Sequence, residues 1–390
     1  MNFVFMSPHF PPNYYRFCVN LRKMGANVLG LADESYDRLH PDLRWALNEY
    51  YRVNDMNNYG ELLRALGYFT FRYGKLDRID SLNEYWLETE ARLRTDFNIP
   101  GLNTADIYRV KRKSEMKKVF KKVGVAVAAG QLVHAAPQTH RFVEEVGYPV
   151  VIKPDIGVGA NNTYKIHNYQ ELDRFLANRP TEDYIIEEFI EGNVESFDGL
   201  TDKQGKVVFC TSHVFSQGIM ETVNDELDIF YYSVRNIPKD LEEAGRKLID
   251  AFEVRERFFH FEFFRTPDHR LVALEVNMRP PGGMTTDMFN YANDFDIYYE
   301  YANVILNNRF DAVYCRPYYC CYIGRKEGKR YVHTHEEIME AFIDHIVQHE
   351  PLSGVFSSAL GNYGYLARSE DLEDVLEIAQ FVLETESPIL

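Results

Sequence analysis

Two short stretches carry the chemistry of this chain: His260-Phe261-Glu262-Phe263-Phe264 and Leu274-Glu275-Val276-Asn277-Met278-Arg279, joined by the turn-like Pro267-Asp268-His269-Arg270. Side chains alternate faces along a strand, so Glu275, Asn277 and Arg279 point the same way. A hairpin centred on Asp268-His269 sets Glu262 directly opposite Glu275. Opposed carboxylates repel, at a cost of up to about 1 kcal/mol, unless something positive lies between them. Two carboxylates, an amide oxygen and a nearby guanidinium suit Mg²⁺ held on phosphate oxygens. The phenylalanines at 258, 259, 261, 263 and 264 mark a buried strand, which argues against acids that merely face water.

A second signal lies upstream. Tyr148-Pro149-Val150-Val151-Ile152-Lys153-Pro154 ends an apolar strand on a lysine, and the small-residue loop Asp155-Ile156-Gly157-Val158-Gly159-Ala160 follows. That arrangement lets an ammonium and backbone N–H groups approach phosphate together. No GK[ST] follows the glycines, so this is not a Walker A loop, and no GxGxxG follows the first strand.

The elements that must position these residues fall into three groups. Asn2 to Met6 is a short strand, Tyr14 to Met24 a helix ending at Gly25, and Asn27 to Ala32 the next strand, which is the pattern of a parallel βαβ unit. Further strands are expected at 50–53, 68–71 and 78–79, with helices at 57–66 and 81–97. After the linker Pro100-Gly101-Leu102-Asn103, one basic helix is expected from Asp106 to Val123, most of its lysines forming a solvated face. Strands follow at 131–133, 150–153, 184–186 and 207–209, and helices at 169–177, 295–306, 335–349 and 370–384.

In order and spacing, Lys113, the Lys153 strand with its glycine loop, Ile185-Ile186-Glu187-Glu188-Phe189-Ile190-Glu191-Gly192-Asn193-Val194-Glu195, and the Glu262/Glu275-Val276-Asn277-Met278-Arg279 hairpin resemble the ATP-grasp superfamily. The resemblance is to its carboxylate–amine ligase and biotin-carboxylase-like branch, and it is strong over about 100–312. It implies an α/β and α+β fold: an N-terminal doubly wound βαβ domain over 1–105, a two-lobed nucleotide-binding and catalytic region over 106–312, and a small C-terminal α+β unit over 313–390. It implies that Lys113, Lys153, Gly157 and Gly159 serve the ATP phosphates. Glu187, Glu188, Phe189 and Ile190 would form the adenine hinge, and Glu195 would bind ribose. Glu262, Glu275 and Asn277 would hold Mg²⁺, with Mn²⁺ as a substitute, and Arg279 would act with Lys153 in catalysis. The implied reaction joins a small carboxylate to an amine, or less often a thiol or alcohol, through an acyl phosphate, releasing ADP and phosphate. His213, Glu221 and Gly283 are candidate substrate contacts. The alternatives are a bicarbonate-activating carboxylase subunit and a nucleotide-binding regulatory protein of reduced activity.

The bulk composition bounds the partners. A chain of 390 residues exceeds one ordinary core, and a net charge of −16 argues against nucleic-acid or anionic-membrane partners. No apolar run approaches the ~20 residues of a membrane span. Five scattered cysteines without CxxC spacing suit reduced thiols. The expectation is therefore a cytoplasmic protein acting on small molecules, with a homodimer as the assembly to test.

Overall fold

A computed structural model describes residues 1–157, 162–224, 226–352 and 354–386. Among the described residues the strands form three sheets. The first contains β1 (Asn2–Met6), β2 (Asn27–Ala32), β3 (Glu49–Arg52) and β4 (Arg78–Asp80), all parallel in the order β3-β2-β1-β4. Both faces are covered, and Phe3, Val4, Phe5, Leu29 and Leu31 are fully buried, as parallel strands require.

The second sheet contains β5 (Gly130–Leu132), β6 (Val150–Pro154), β7 (Tyr164–Ile166) and β8 (Tyr184–Glu188), antiparallel in the order β5-β8-β6-β7. The third is built from β9 (Asn193–Thr201), β10 (Val207–Thr211), β11 (His213–Phe215), β12 (Ile229–Ser233), β13 (Phe258–Arg265), β14 (Leu271–Asn277), β15 (Tyr319–Arg325), β16 (Ile346–Pro351) and β17 (Tyr363–Ser369). Its order is β14-β13-β9-β11-β12-β15-β17-β16, with β10 on β9. The strands beyond 312 thus extend the sheet that carries the Glu262–Glu275 hairpin, through pairing of β12 with β15.

Several expected elements differ. Tyr68 to Phe71 belong to the helix Tyr59–Tyr73, not a strand. Leu62, Ala65, Leu66 and Phe69 recur at helical spacing and are buried, while Phe71 is 86% exposed, so spacing overrides the β-propensity of the aromatics. The single basic helix is two, Ile107–Lys111 and Lys113–Lys122, separated by an extended Arg112. Asp155 makes that break: its carboxylate accepts from the Ser114 N–H at 2.8 Å and pairs with Arg112 at 3.2 Å. Helix 335–349 stops at Phe342 and gives way to β16. The helices Ala136–Val146, Lys239–Phe252 and Thr285–Asn293, and the long strand β9, were not expected from the sequence. Lys239–Phe252 packs its Leu241, Leu248, Ile249 and Phe252 behind β9 and β13, forming the core that supports the site.

Candidate active site

A cavity of about 530 Å³ opens between the second and third sheets, a volume typical of small-molecule sites. Val151, Lys153, Glu187 and Glu188 line it from one sheet; His260, Glu262, Phe264, Glu275 and Asn277 line it from the other.

Glu262 does stand opposite Glu275, though by a route the sequence did not reveal. The loop is three residues long: Thr266 N–H donates to Arg270 O at 3.0 Å, His269 N–H donates to Thr266 O at 2.8 Å, and His269 takes φ 64°. Next to this turn Phe264 pairs with Val272, one residue out of the expected register. The register shifts between Glu262 and Phe263, leaving Leu274 unpaired as a bulge, and beyond it Glu262 faces Glu275 and His260 faces Asn277. Ala273, beside the bulge, donates its N–H to Ala126 O at 2.8 Å. The bulge thus re-aims the carboxylates, a common role for such irregularities near sites.

Each carboxylate has its own cation. Lys113 Nζ lies 3.4 Å from Glu275 Oε1, and His260 Nε2 lies 2.9 Å from Glu262 Oε1. Burial pulls the Lys113 ammonium down, but Glu275 outweighs this and holds it above its ordinary value. Burial likewise pulls His260 down, while Asp198 at its Nδ1, with Glu262, lifts it to about 9. His260 therefore donates from both ring nitrogens. Burial pushes the Glu262 carboxyl up, and His260, with Arg279 behind it, brings it below the ordinary range.

Across the cavity, the Glu187 carboxylate bridges Lys117 and Lys153 at 2.7 Å to each. Burial pushes this acid up, and the two ammonium groups outweigh it, leaving it at about 2. Lys117 belongs to the basic helix whose lysines were mostly expected to be solvated; it is buried, donates to Ala128 O at 3.0 Å and lines the cavity. Lys117 lies one helical turn from Lys113 and shares its inward face. The Glu188 carboxylate accepts from the Ala129 N–H at 2.6 Å. β8 ends at Glu188 and β9 begins at Asn193, so the backbone of 189–192 lies outside both strands, and Phe189 and Ile190 reach the cavity wall. Lys165 stacks over the Phe189 ring at 3.7 Å.

The structure places three expected contacts outside the cavity lining. Glu195 does not line the cavity; it pairs with Arg265 at 3.1 Å. It lies opposite Phe263 on the neighbouring strand, and strand alternation puts both on the face away from Glu262. His213 is buried and not part of the lining, with its Nδ1 2.7 Å from Asp198; Phe215, two residues on along the same strand face, lines the cavity. Gly283 also stands behind the lining, between Gly282 and Thr285, which do reach it. Gly157 lines the cavity, whereas Gly159 and the side chain of Glu221 lie outside the described residues.

One contributor left no motif. Glu84, from the N-terminal region, is buried, and its Oε1 pairs with Lys111 Nζ at 2.8 Å. Its Oε2 is buried without a hydrogen-bond partner and faces Arg279 Nε at 3.8 Å. Arg279 Nη1 donates to Pro280 O at 2.9 Å.

Two carboxylates and an amide on one face of the β13–β14 hairpin are hard oxygen donors. Among the described residues no group of three His, Cys, Asp or Glu side chains is placed to hold a metal. A cation here would draw its remaining ligands from Asn277, water and phosphate oxygens, as Mg²⁺ on nucleotides commonly does.

The family model described as an ATP-grasp domain matches residues 146–287. An L-arginine-specific L-amino acid ligase from Bacillus subtilis is 24% identical over 271 residues, covering 67% of this chain and 64% of that protein. The chain thus spans less than two thirds of this curated relative. The crystal structure of an L-amino acid ligase from Bacillus licheniformis is similar with a TM-score of 0.77 at 14% identity, covering 98% of this chain and 96% of that one. The biotin carboxylase domain of 2-oxoglutarate carboxylase from Hydrogenobacter thermophilus, solved as a dimer with MgADP and bicarbonate, gives 0.69 at 17%, covering 99% and 90%. Among the described residues no helix is long and apolar enough to cross a membrane.

Proposed function

From the ATP-grasp domain that this chain carries, we propose that it is an ADP-forming ligase that activates a small carboxylate as an acyl phosphate and joins it to an amine. The observation that carries the reading is one cavity lined by Lys113, Lys117 and Lys153 on one side and by Glu262, Glu275, Asn277 and Arg279 on the other. In this reading the lysines hold phosphate oxygens as point charges, and the backbone at Phe189 and Ile190 meets the nucleobase. Glu262, Glu275 and Asn277 would hold Mg²⁺, with Mn²⁺ as a substitute; the ion would neutralise charge on the terminal phosphates.

A carboxylate oxygen attacks the terminal phosphorus and the bridging oxygen leaves with ADP. The amine nitrogen then attacks the acyl carbon, the carbon–oxygen bond to phosphate breaks, phosphate leaves with that bonding pair, and the amine proton passes to solvent. Arg279 steadies negative charge on the phosphoryl group in both steps, so positioning and electrostatics supply the rate. No cysteine or serine nucleophile is needed.

The bond broken tests the reading. ADP and phosphate are the expected products, with ¹⁸O passing from the carboxylate into the released phosphate. AMP as the nucleotide product, or unlabelled phosphate alongside a formed amide, overturns the mechanism.

Glu84 would act through Arg279 by holding the guanidinium in its working orientation. Glu84→Gln is expected to lower kcat roughly tenfold, by loosening a reacting geometry, while calorimetric affinity for MgADP stays unchanged. A parallel fall in nucleotide affinity would assign Glu84 a general packing role.

A further inference from the structure

The charged groups that line the cavity pair with one another, Lys113 with Glu275 and both Lys117 and Lys153 with Glu187. Beyond Arg279 the chain passes Pro280, Pro281 and Gly282, and the uncharged lining that adjoins it is made by Phe215, Met220, Tyr231 and Leu360 together with the polar but neutral Ser216, Gln217 and Thr285. These side chains are fixed in place. Phe215 stacks on Tyr231, and Tyr231 on Tyr322, each pair with ring centroids 4.9 Å apart. The Tyr231 hydroxyl is engaged with Thr285 Oγ1 at 2.7 Å, and Thr285 also donates to Gly282 O at 2.7 Å. With that hydroxyl satisfied, what Tyr231 offers the cavity is its ring. Leu360 arrives from the segment between β16 and β17 and is held from two sides. Tyr322 donates its hydroxyl to Leu360 O at 2.7 Å. Gly283, at φ 62°, leaves the space that the leucine occupies: a Cβ there would meet Leu360 Cδ1 at 2.6 Å.

We propose that the carboxylate activated at this site carries an uncharged, apolar side chain, seated against Phe215, Met220, Tyr231 and Leu360 while its carboxyl group meets Arg279. The inference rests on the ligase reading and deepens it. Among these described lining residues, none bears a charge that would compensate a guanidinium, an ammonium or a second carboxylate. Such a group would lose its hydration without gaining a partner. An aliphatic or aromatic side chain gains by the same burial. The β16–β17 segment thereby becomes a specificity element of a site whose reacting groups lie elsewhere.

Hydroxylamine makes the test independent of the natural amine, because it traps an acyl phosphate as a hydroxamate with release of phosphate. Hydroxamate formation is measured with MgATP and, in turn, leucine, methionine, phenylalanine, arginine and glutamate as the only carboxylate. An apolar acid should exceed arginine and glutamate in kcat/KM by at least about tenfold, the scale on which apolar pockets discriminate. Leu360→Ala should raise KM for the favoured acid about tenfold, with calorimetric affinity for MgADP unchanged. Preference for arginine or glutamate, or an unchanged KM in the variant, overturns the inference and leaves the ligase reading standing. No hydroxamate from any of the acids overturns both.

Discussion

Glu275→Gln is expected to lower Mg²⁺-dependent ATP turnover by on the order of 10²- to 10³-fold, the scale of losing one preorganised group that stabilises transition-state charge. Glu275 shares its strand face with Asn277 and lies opposite Glu262, so glutamine keeps the shape and removes one of two anionic donors. The deficit should be largest at limiting Mg²⁺ and shrink as the metal is raised. Turnover measured against Mg²⁺ at fixed ATP decides it: ordinary activity at limiting metal would remove Glu275 from the metal site. Relief of the like-charge pair is not expected to stabilise the variant, because Lys113, itself buried, already faces Glu275 at 3.4 Å. A slightly lowered Tm is the accompanying expectation.

Glu187→Gln should be the most destabilising single change at the site. The side chains of Lys117 and Lys153 are only 7% and 11% exposed, and both pair with this one carboxylate. Breaking a buried pair by removing one partner costs about 3–5 kcal/mol, because the remaining charge is left uncompensated. The acid limb of the stability curve carries a second signature. Glu187 titrates at about 2 in the folded protein against an ordinary 4.5, so its contribution is complete above the unfolded value and is lost as pH falls from 4.5 towards 2. Urea unfolding from neutral pH down to about pH 3 should show wild type losing stability over that window and the variant losing less. MgADP should raise the variant's Tm by more than it raises that of wild type, since its phosphates resupply the missing anion. A variant as stable as wild type at neutral pH would mean that the lysines find other partners.

What the sequence by itself determined is local periodicity and the order of chemical groups along the chain. Period-two alternation was enough to put Glu275 and Asn277 on one face, a lysine at the end of an apolar strand was enough to mark Lys153, and strand, helix, glycine and strand were enough to predict the parallel sheet at the N-terminus. These readings need only neighbours close in sequence. Tertiary structure decided the rest. The register of Glu262 against Glu275 depends on a three-residue turn and a compensating bulge at Leu274, and the bulge lies where a distant segment, at Ala126, docks beside it. Whether a lysine on a basic helix is solvated or buried depends on what packs against it, and Lys117 is buried because Glu187 lies between it and Lys153. Glu195 was lost to Arg265 because its strand face is fixed by pairing with β13, a neighbour far away in the chain. Glu84 and Leu360 carry no motif at all. They reach the site from distant parts of the sequence because sheet pairing and the burial of far-apart segments against one another bring them there, and no local pattern of residues records contacts of that length.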